Sequence, residues 1–313
     1  MRILNLTHSE FWLPGHFKHL LEQTGHTGET LFLPIANFNA EKANLIWYEH
    51  RHYFSSFDAI FVSHLSTWSR VFLQNNWTKP LFVWFFFRFD YDIDDRAAYH
   101  DLLRQAKSMP NVKFFAATET DRVYAEEKLG FAIPVIKPFV YINNDSKTAI
   151  PCDGETFYLV GKHNESLFAD KLRELGVSIY RQDWTTAIPD LRSVKAIIHF
   201  PYVFATRSFI ENLAVGNVYF LPTQRLLNEL RGSLSYFWDS TLSQDHHGNY
   251  DLTEWYSPEH NQLFVYFDSL EELRDLQRSP GLNDTIAEKK MAIREFVQRQ
   301  NDRALREWTE LLQ

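Results

Sequence analysis

The chain has 313 residues, 45% of them hydrophobic and 23% charged, with a formal net charge of −8. A length of about twice 150 residues suits two domains, and the composition is that of a folded globular protein. The acidic balance speaks against a non-specific nucleic-acid binder, which needs a basic field, and a single cysteine, Cys152, excludes both a disulfide framework and cysteine-rich zinc sites.

The lone cysteine fits a reducing compartment, so a cytoplasmic location is expected. Met1–Leu6 is too short an apolar run for a signal peptide. No stretch of about 18 uncharged apolar residues offers a membrane span. Aromatic residues reach 16%, enough to fill a core and still leave rings for stacking on a base or sugar.

The first half alternates strand and helix signals. Arg2–Leu6 predicts an opening strand. Gly15–Gln23 has helical spacing, with Phe17, Leu20 and Leu21 on one side and Gly25 after it. Thr30–Leu33, Asp58–Ser63 and Leu81–Phe87 predict strands, the last two as continuous apolar runs that suit a parallel sheet buried on both faces. A helix over Arg96–Lys107, a strand over Val112–Ala117, a helix over Glu119–Leu129 closed by Gly130, and a short strand over Val135–Lys137 complete a doubly wound pattern.

Tyr141–Glu155 is polar and holds Pro and Gly, the composition of a linker. The pattern then restarts. Strands are predicted over Phe157–Val160, Val177–Tyr180, Ala196–Phe200 and Val218–Leu221, and helices over Leu167–Leu175 and Ser208–Val215, each helix ended by a glycine (Gly176, Gly216). Ser233–Asn261 predicts loops. Ser269–Arg278 and Asp284–Leu312 predict helices.

The most informative segment is Ala196–Thr223. A buried strand ends at Phe200-Pro201, a loop brings Thr206, Arg207 and Ser208 to the start of a helix, and Glu211 follows about one turn later. Such a helix start offers free N–H groups and the positive end of a dipole to a diphosphate. Ser208 can cap it, Arg207 can fork onto phosphate oxygens, and Glu211 can accept from ribose hydroxyls. Upstream, Gly161 allows close backbone approach to a ligand and Lys162 adds charge.

Here the chain resembles GT-B glycosyltransferases, in which a loop-helix segment with a Glu, a small-residue stretch and a Gly before the next strand holds the donor; Glu211-Asn212-Leu213-Ala214-Val215-Gly216 is similar to it. The earlier Glu of the retaining, GT4-like branch would fall at Val203, a departure from that branch. Gly161-Lys162 resembles the donor-phosphate turn of the family. Leu263–Phe267 followed by Ser269-Leu270-Glu271-Glu272-Leu273 resembles its C-terminal run, after which the last helix, with Phe296 and Trp308, would cross back to the first domain.

The resemblance implies an α/β protein of two Rossmann-like domains facing across a cleft: residues 1–142 for the acceptor, 155–285 for a nucleotide-sugar donor, and 286–313 as the helix that returns. It also implies sugar transfer from a nucleoside diphosphate sugar, with UDP and GDP among the candidates, to a hydroxyl of a glycan or other acceptor. The sugar is a co-substrate, and no cofactor or metal is expected. On the acceptor side, His8, Glu10, Gly15 and His16 follow the first strand. His64 follows Ala59–Val62, and Arg88 and Asp90 follow Leu81–Phe87. Asp90 or His64 is expected as the base, with Arg88 tuning Asp90 or holding an anionic group.

Three other readings meet the same residues. Asp90-Tyr91-Asp92 within Asp90–Asp95 matches the Asp-x-Asp by which GT-A enzymes hold a divalent metal, but the two β-α series favour GT-B, and acidic residues also suit the helix start near Arg96. A glycosyltransferase that modifies nucleic-acid bases would need a basic face. A GT-like subunit that binds sugar or a partner without turnover would lack donor contacts. Asp245-His246-His247 suits a polar loop better than a metal site. Neither a Walker A sequence nor a Gly-x-Ser-x-Gly elbow occurs.

Overall fold

The computed structural model describes the chain apart from residues 8–11, 34–36, 64–65, 87, 142–147, 150–154, 161–164, 182–188, 202–206 and 235–249, and the side chains of 12–13, 148–149, 165–167, 189–190, 207 and 231–234. It divides into two compact units, Met1–Phe139 with Asn301–Gln313, and Val140–Gln300.

The first unit runs β1 (Arg2–Thr7), α1 (Trp12–Thr24), β2 (Thr27–Phe32), α2 (Ala40–Ser55), β3 (Ala59–Val62), a 3-10 turn at Ser66–Ser69, α3 (Arg70–Leu73), β4 (Leu81–Phe85), α4 (Arg96–Ala106), β5 (Val112–Ala116) and α5 (Glu119–Leu129). All strand pairs are parallel, in the order β2-β1-β3-β4-β5. The period-2 alternation of a strand explains why β3 and β4 are apolar throughout. Ile60, Val62, Leu81, Val83 and Phe85 join one core with Ile46, Phe72 and Leu103 of α2, α3 and α4. The alternate residues serve the other face, where Phe61 meets Phe17 of α1 at 5.5 Å between ring centroids and Trp308 at 5.8 Å.

The second unit holds β6 (Thr148–Ala149), β7 (Phe157–Leu159), α6 (Glu165–Glu174), β8 (Ile179–Tyr180), β9 (Pro189–Asp190), β10 (Ala196–Ile198), α7 (Arg207–Ala214), β11 (Tyr219–Pro222), α8 (Gln224–Leu234), β12 (Val265–Phe267), α9 (Leu270–Arg278) and the first part of α10 (Leu282–Leu312). Its main sheet is again parallel, in the order β12-β11-β10-β7-β8, and β6 pairs with β9 in a small separate sheet. Phe168, Phe209, Leu227, Leu273, Ile293 and Phe296 bring α6 to α10 onto one core with the strands. No helix among the described residues is long and apolar enough to cross a membrane.

Glycine positions read as helix stops act as such: Gly130 and Gly216 have φ of 76° and 77°, a region that side chains with a Cβ resist. Other boundaries differ. Helix α2 and helix α8 were not expected, β2 begins three residues before the expected Thr30, and Val135 contributes an isolated bridge to Ala116 instead of a strand. Helix α1 starts at Trp12, three residues before the expected Gly15.

His16, expected to face a binding cleft, is buried in the core of the first unit. Its Nε2 accepts from the Phe139 N–H at 3.0 Å, and its ring stacks on Trp84 at 5.2 Å. Trp84 and Trp308 donate from their indole nitrogens to the carbonyls of Ile136 and Lys137, at 3.2 and 3.1 Å. Three side chains thus fix residues 136–139 where the chain leaves the unit. Burial, with a smaller push from His19, lowers the pKa of His16 from 6.5 to about 3. The unfolded chain therefore takes up this proton first. The stability contributed is complete above about pH 6.5 and falls as pH drops toward 3, by about 1.4 kcal/mol per pH unit. Gln at this position can still accept from Phe139 but does not titrate. Urea unfolding of wild type and His16→Gln at about pH 7.5, 6 and 5 should show the wild-type advantage shrinking by roughly 1 kcal/mol per unit below pH 6. An advantage that stays constant over that range would show that His16 is not the acid-sensitive group.

Candidate functional site

Counted along the chain within each five-stranded sheet, the strand order is 2-1-3-4-5 in both. In open α/β sheets of this kind, ligands bind outside the carboxyl ends of the strands where the order reverses. That point lies between β1 and β3 in the first unit and between β7 and β10 in the second.

In the second unit, Val160 follows β7 and its N–H donates to the Ile198 carbonyl at 3.0 Å, so β7 and β10 remain paired up to their carboxyl ends. Gly161 and Lys162 follow β7 in the sequence. His199-Phe200-Pro201 follow β10, and Thr206 precedes α7 in the sequence. Gly161, Lys162 and Thr206 lie outside the described residues, as does the side chain of Arg207. Arg207 opens α7, which makes Ser208 its second residue and not its cap. Glu211 is 6% exposed, which removes the reading of a solvated surface carboxylate.

The first residues of α7 are held from below by a buried polar chain. Asn217 Nδ2 donates to the Leu191 carbonyl at 3.0 Å and to Asn212 Oδ1 at 2.9 Å. Asn212 Nδ2 donates to the Tyr219 hydroxyl at 2.8 Å, and that hydroxyl donates to the Ser208 carbonyl at 3.3 Å. Phe209 and Leu213, beside Asn212 on the buried side of the helix, reach the core, with Phe209 edge-on to Trp255 at 5.1 Å.

In the first unit, His8 and Glu10 follow β1 in the sequence and His64 follows β3, and all three lie outside the described residues. Among the described residues the framework is firm. Ser63 donates to Asn5 Oδ1 at 2.8 Å within the sheet. Ser66 donates to the Phe89 carbonyl at 3.0 Å, Tyr99 donates to the Ser66 carbonyl at 2.6 Å, and Arg70 binds both oxygens of Asp95. The loop after β3 is thereby fastened to the loop after β4. The latter also meets the loop after β2, where Phe38 bridges Ile93 and Asp92 Oδ1 accepts from the Asn37 N–H at 2.9 Å. Asn37, Arg88 and Asp92 all have positive φ, at 53°, 43° and 59°. Each such non-glycine position costs roughly 1 kcal/mol or more and persists where its surroundings enforce it.

Arg88 and Asp90 belong to this knot. The Arg88 N–H donates to Asp121 Oδ1 at 3.1 Å, its guanidinium lies 5.1 Å from the Tyr124 ring centroid, and Asp121 is itself held by Thr118. Asp90 is fully buried. It bonds His100 Nε2 at 3.0 Å, accepts from the Tyr124 hydroxyl on both oxygens at 3.0 and 3.1 Å, and pairs with Arg96 Nε at 3.3 Å. Burial pushes its pKa up, but the bonds to His100 and Tyr124 and the Arg96 charge outweigh that and hold it below the ordinary carboxylate value. Burial and the Asp90 charge in turn push Tyr124 up to about 12, which keeps its hydroxyl a donor at neutral pH. A base must reach the proton it takes. With no exposed surface and three partners, the Asp90 carboxylate serves as an anchor in this geometry instead of the expected base.

The acidic run Asp90–Asp95 does not converge on one point. Asp90 turns to His100, Asp92 to Asn37, and Asp95 to Arg70. Among the described residues no group of three His, Cys, Asp or Glu is placed to hold a metal ion. The Asp245-His246-His247 stretch lies outside them. Residues that sequence reasoning passed over are Tyr124 and His100 around Asp90, and Asn217 and Tyr219 beneath α7. Only Thr118-Glu119-Thr120-Asp121 carried a signal, as a helix N-cap.

No protein-family model and no curated protein matches the sequence. Solved structures match over its whole length. A glycosyltransferase from Rickettsia africae ESF-5 gives a TM-score of 0.56 at 14% identity, covering 100% of this chain and 98% of that one. The glycotransferase of kitacinnamycin gives 0.54 at 11% identity, covering 98% and 97%. Anabaena HepE, in complex with UDP and glucose, gives 0.50 at 14% identity, covering 100% and 98%. The chain has the GT-B fold. The two Rossmann-like units of that fold are the two parallel sheets described above.

Asp90→Asn keeps an acceptor for Tyr124 but leaves Arg96 and His100 without their carboxylate. Urea unfolding at neutral pH should show a loss of roughly 2–4 kcal/mol. Because the folded pKa is depressed, the carboxylate stabilises above the unfolded value of about 4 and ceases to do so as pH falls below it, so the two proteins should converge in acid. A cost below about 0.5 kcal/mol, the size of an ordinary surface change, would remove Asp90 from the centre of the knot.

Proposed function

We propose that the protein is a glycosyltransferase that moves a sugar from a nucleoside diphosphate sugar, with UDP as the first candidate, to a hydroxyl of a glycan or other acceptor. The observation that carries this reading is topological. The two segments singled out for diphosphate chemistry, Gly161-Lys162 and Thr206–Glu211, follow β7 and β10 in the sequence, and those two strands flank the switch point of the second sheet. That order supports the reading, since open sheets of this kind bind nucleotides at the switch point. The likeness to glycosyltransferases supports the class, and the UDP in the HepE complex suggests the base.

On this reading the diphosphate lies at the start of α7. Gly161 admits it, Lys162, Thr206, Arg207 and Ser208 contact its oxygens, and Glu211 takes the ribose hydroxyls. As the glycosidic bond breaks, charge grows on the leaving diphosphate, and Lys162, Arg207 and the helix N–H groups meet it in place of a metal. The acceptor lies by the first switch point, near His8, Glu10, Gly15 and His64. His64, directly after β3, is the better base, since imidazole titrates near neutrality. Asp90 and Arg88 hold the neighbouring loop in place. The transition state has oxocarbenium character, by analogy with glycoside hydrolysis.

A thermal-shift screen against UDP, GDP, ADP, CMP and dTDP, with and without Mg²⁺, tests the donor site. A ligand that binds only the folded state raises the melting temperature by mass action, by about 2.7 kcal/mol of stability at a hundredfold excess over Kd. A rise with one nucleoside diphosphate that needs no Mg²⁺ and is lost in Glu211→Ala is expected. No rise with any nucleotide, in protein shown to be folded, would sink the reading.

A further inference from the structure

We infer that Tyr219 and Asn212 are positioning residues for the donor diphosphate, setting the height and tilt of the first turn of α7 without touching the ligand. The inference rests on the donor site proposed above.

Helix α7 has only eight residues, too few to hold its own geometry by backbone bonds alone. Its apolar side fixes it from within through Phe209 and Leu213, but apolar contacts leave a helix free to slide and roll by small amounts. The polar chain beneath removes that freedom. Tyr219 stands on β11, a strand that pairs with β10. Its hydroxyl donates to the carbonyl of Ser208, the second residue of the helix, at 3.3 Å. That hydroxyl can donate only once, and Asn212 Nδ2 occupies its acceptor side, so the donor has a single direction left. Asn212 is in turn oriented by Asn217, which is anchored on the Leu191 carbonyl. Tyr219, Asn212 and Asn217 are all buried, so the links among the three run at low dielectric, where such bonds are strong and directional.

The chain thus carries the geometry of the sheet to the first turn of α7. The N–H groups of that turn cannot adjust one by one, since they are aimed by the helix as a body. A helix start shifted by about 1 Å loses alignment with both phosphates together, the kind of error that costs up to about a hundredfold in rate. Neither Tyr219 nor Asn212 reaches the ligand on this account. Their loss raises the donor KM and lowers kcat through misalignment, leaving acceptor binding on the first unit unchanged.

Two variants separate positioning from plain stability. Tyr219→Phe removes one oxygen and leaves the buried Asn212 amide with a donor unmet, so it should lower the melting temperature as well as UDP affinity. Tyr219→Phe with Asn212→Leu and Asn217→Ala removes the hydroxyl and both buried amides of the chain, so no buried donor is left without its acceptor, which can be nearly neutral for folding. UDP affinity is read by calorimetry and stability by the melting temperature without ligand. The expected result is that the triple variant regains most of the lost stability yet keeps the weakened UDP binding, roughly tenfold below wild type in both variants. UDP affinity that recovers together with stability in the triple variant would overturn the positioning role and leave the donor site standing, as would wild-type affinity in Tyr219→Phe. Wild-type protein that binds no nucleoside diphosphate would overturn the donor site itself, and this inference with it.

Discussion

A parallel sheet covered by helices on both faces has only its two ends open to solvent. In each unit of this protein five short strands, β3, β4 and β11 among them buried at every position, accept that condition. Polar side chains that must meet a ligand are excluded from the faces by the cost of burial. They collect in the loops after the strands, and the 2-1-3-4-5 order singles out one gap per sheet where two of those loops diverge. Every other arrangement in the molecule follows from how those loops are braced.

The two units brace them differently. In the first, the carboxyl-end loops are tied sideways to one another. Ser66 to Phe89, Arg70 to Asp95 and Phe38 to Ile93 join the loops after β2, β3 and β4, and the Asp90 cluster fills the space behind them. The left-handed backbones of Asn37, Arg88 and Asp92 mark where this bracing forces the chain. In the second unit the brace runs from beneath, through Asn217, Asn212 and Tyr219 to the first turn of α7. The first arrangement fixes loops against loops, the second fixes a helix against its sheet.

How much of this could be seen in the sequence depends on how far apart the interacting residues lie. Continuous apolar runs such as Ala59–Val62 and Leu81–Phe85 announce buried strands, and the glycines after α5 and α7 announce helix ends, because the cause sits within a few residues. The GT-B architecture was legible for the same reason, as two successive β-α series with a polar break. Helix α2 was not. Its stripe of Ala43, Ile46 and Phe54 is blurred by Leu45, Tyr48 and Tyr53, apolar or aromatic residues that point to solvent. The environment of Asp90 was also out of reach: a carboxylate after an apolar strand looks like a base, and only the fold brings Tyr124 to it across 34 positions. His16 misled similarly, since its partner Phe139 lies 123 positions away.

The first unit is not continuous in sequence. Residues 301–313 complete it, and Trp308 among them is fully buried, 5.3 Å from both Trp84 and Phe115 and bonded to the Lys137 carbonyl. During synthesis on the ribosome, the strands of that unit emerge early, yet one face of their sheet waits for an indole translated more than two hundred residues after Trp84. The second unit has no such debt, for all its strands and most of its helices lie within one uninterrupted stretch. A chain released prematurely would therefore carry a finished second unit and a first unit with an aromatic face bare to water, the kind of surface that chaperones bind.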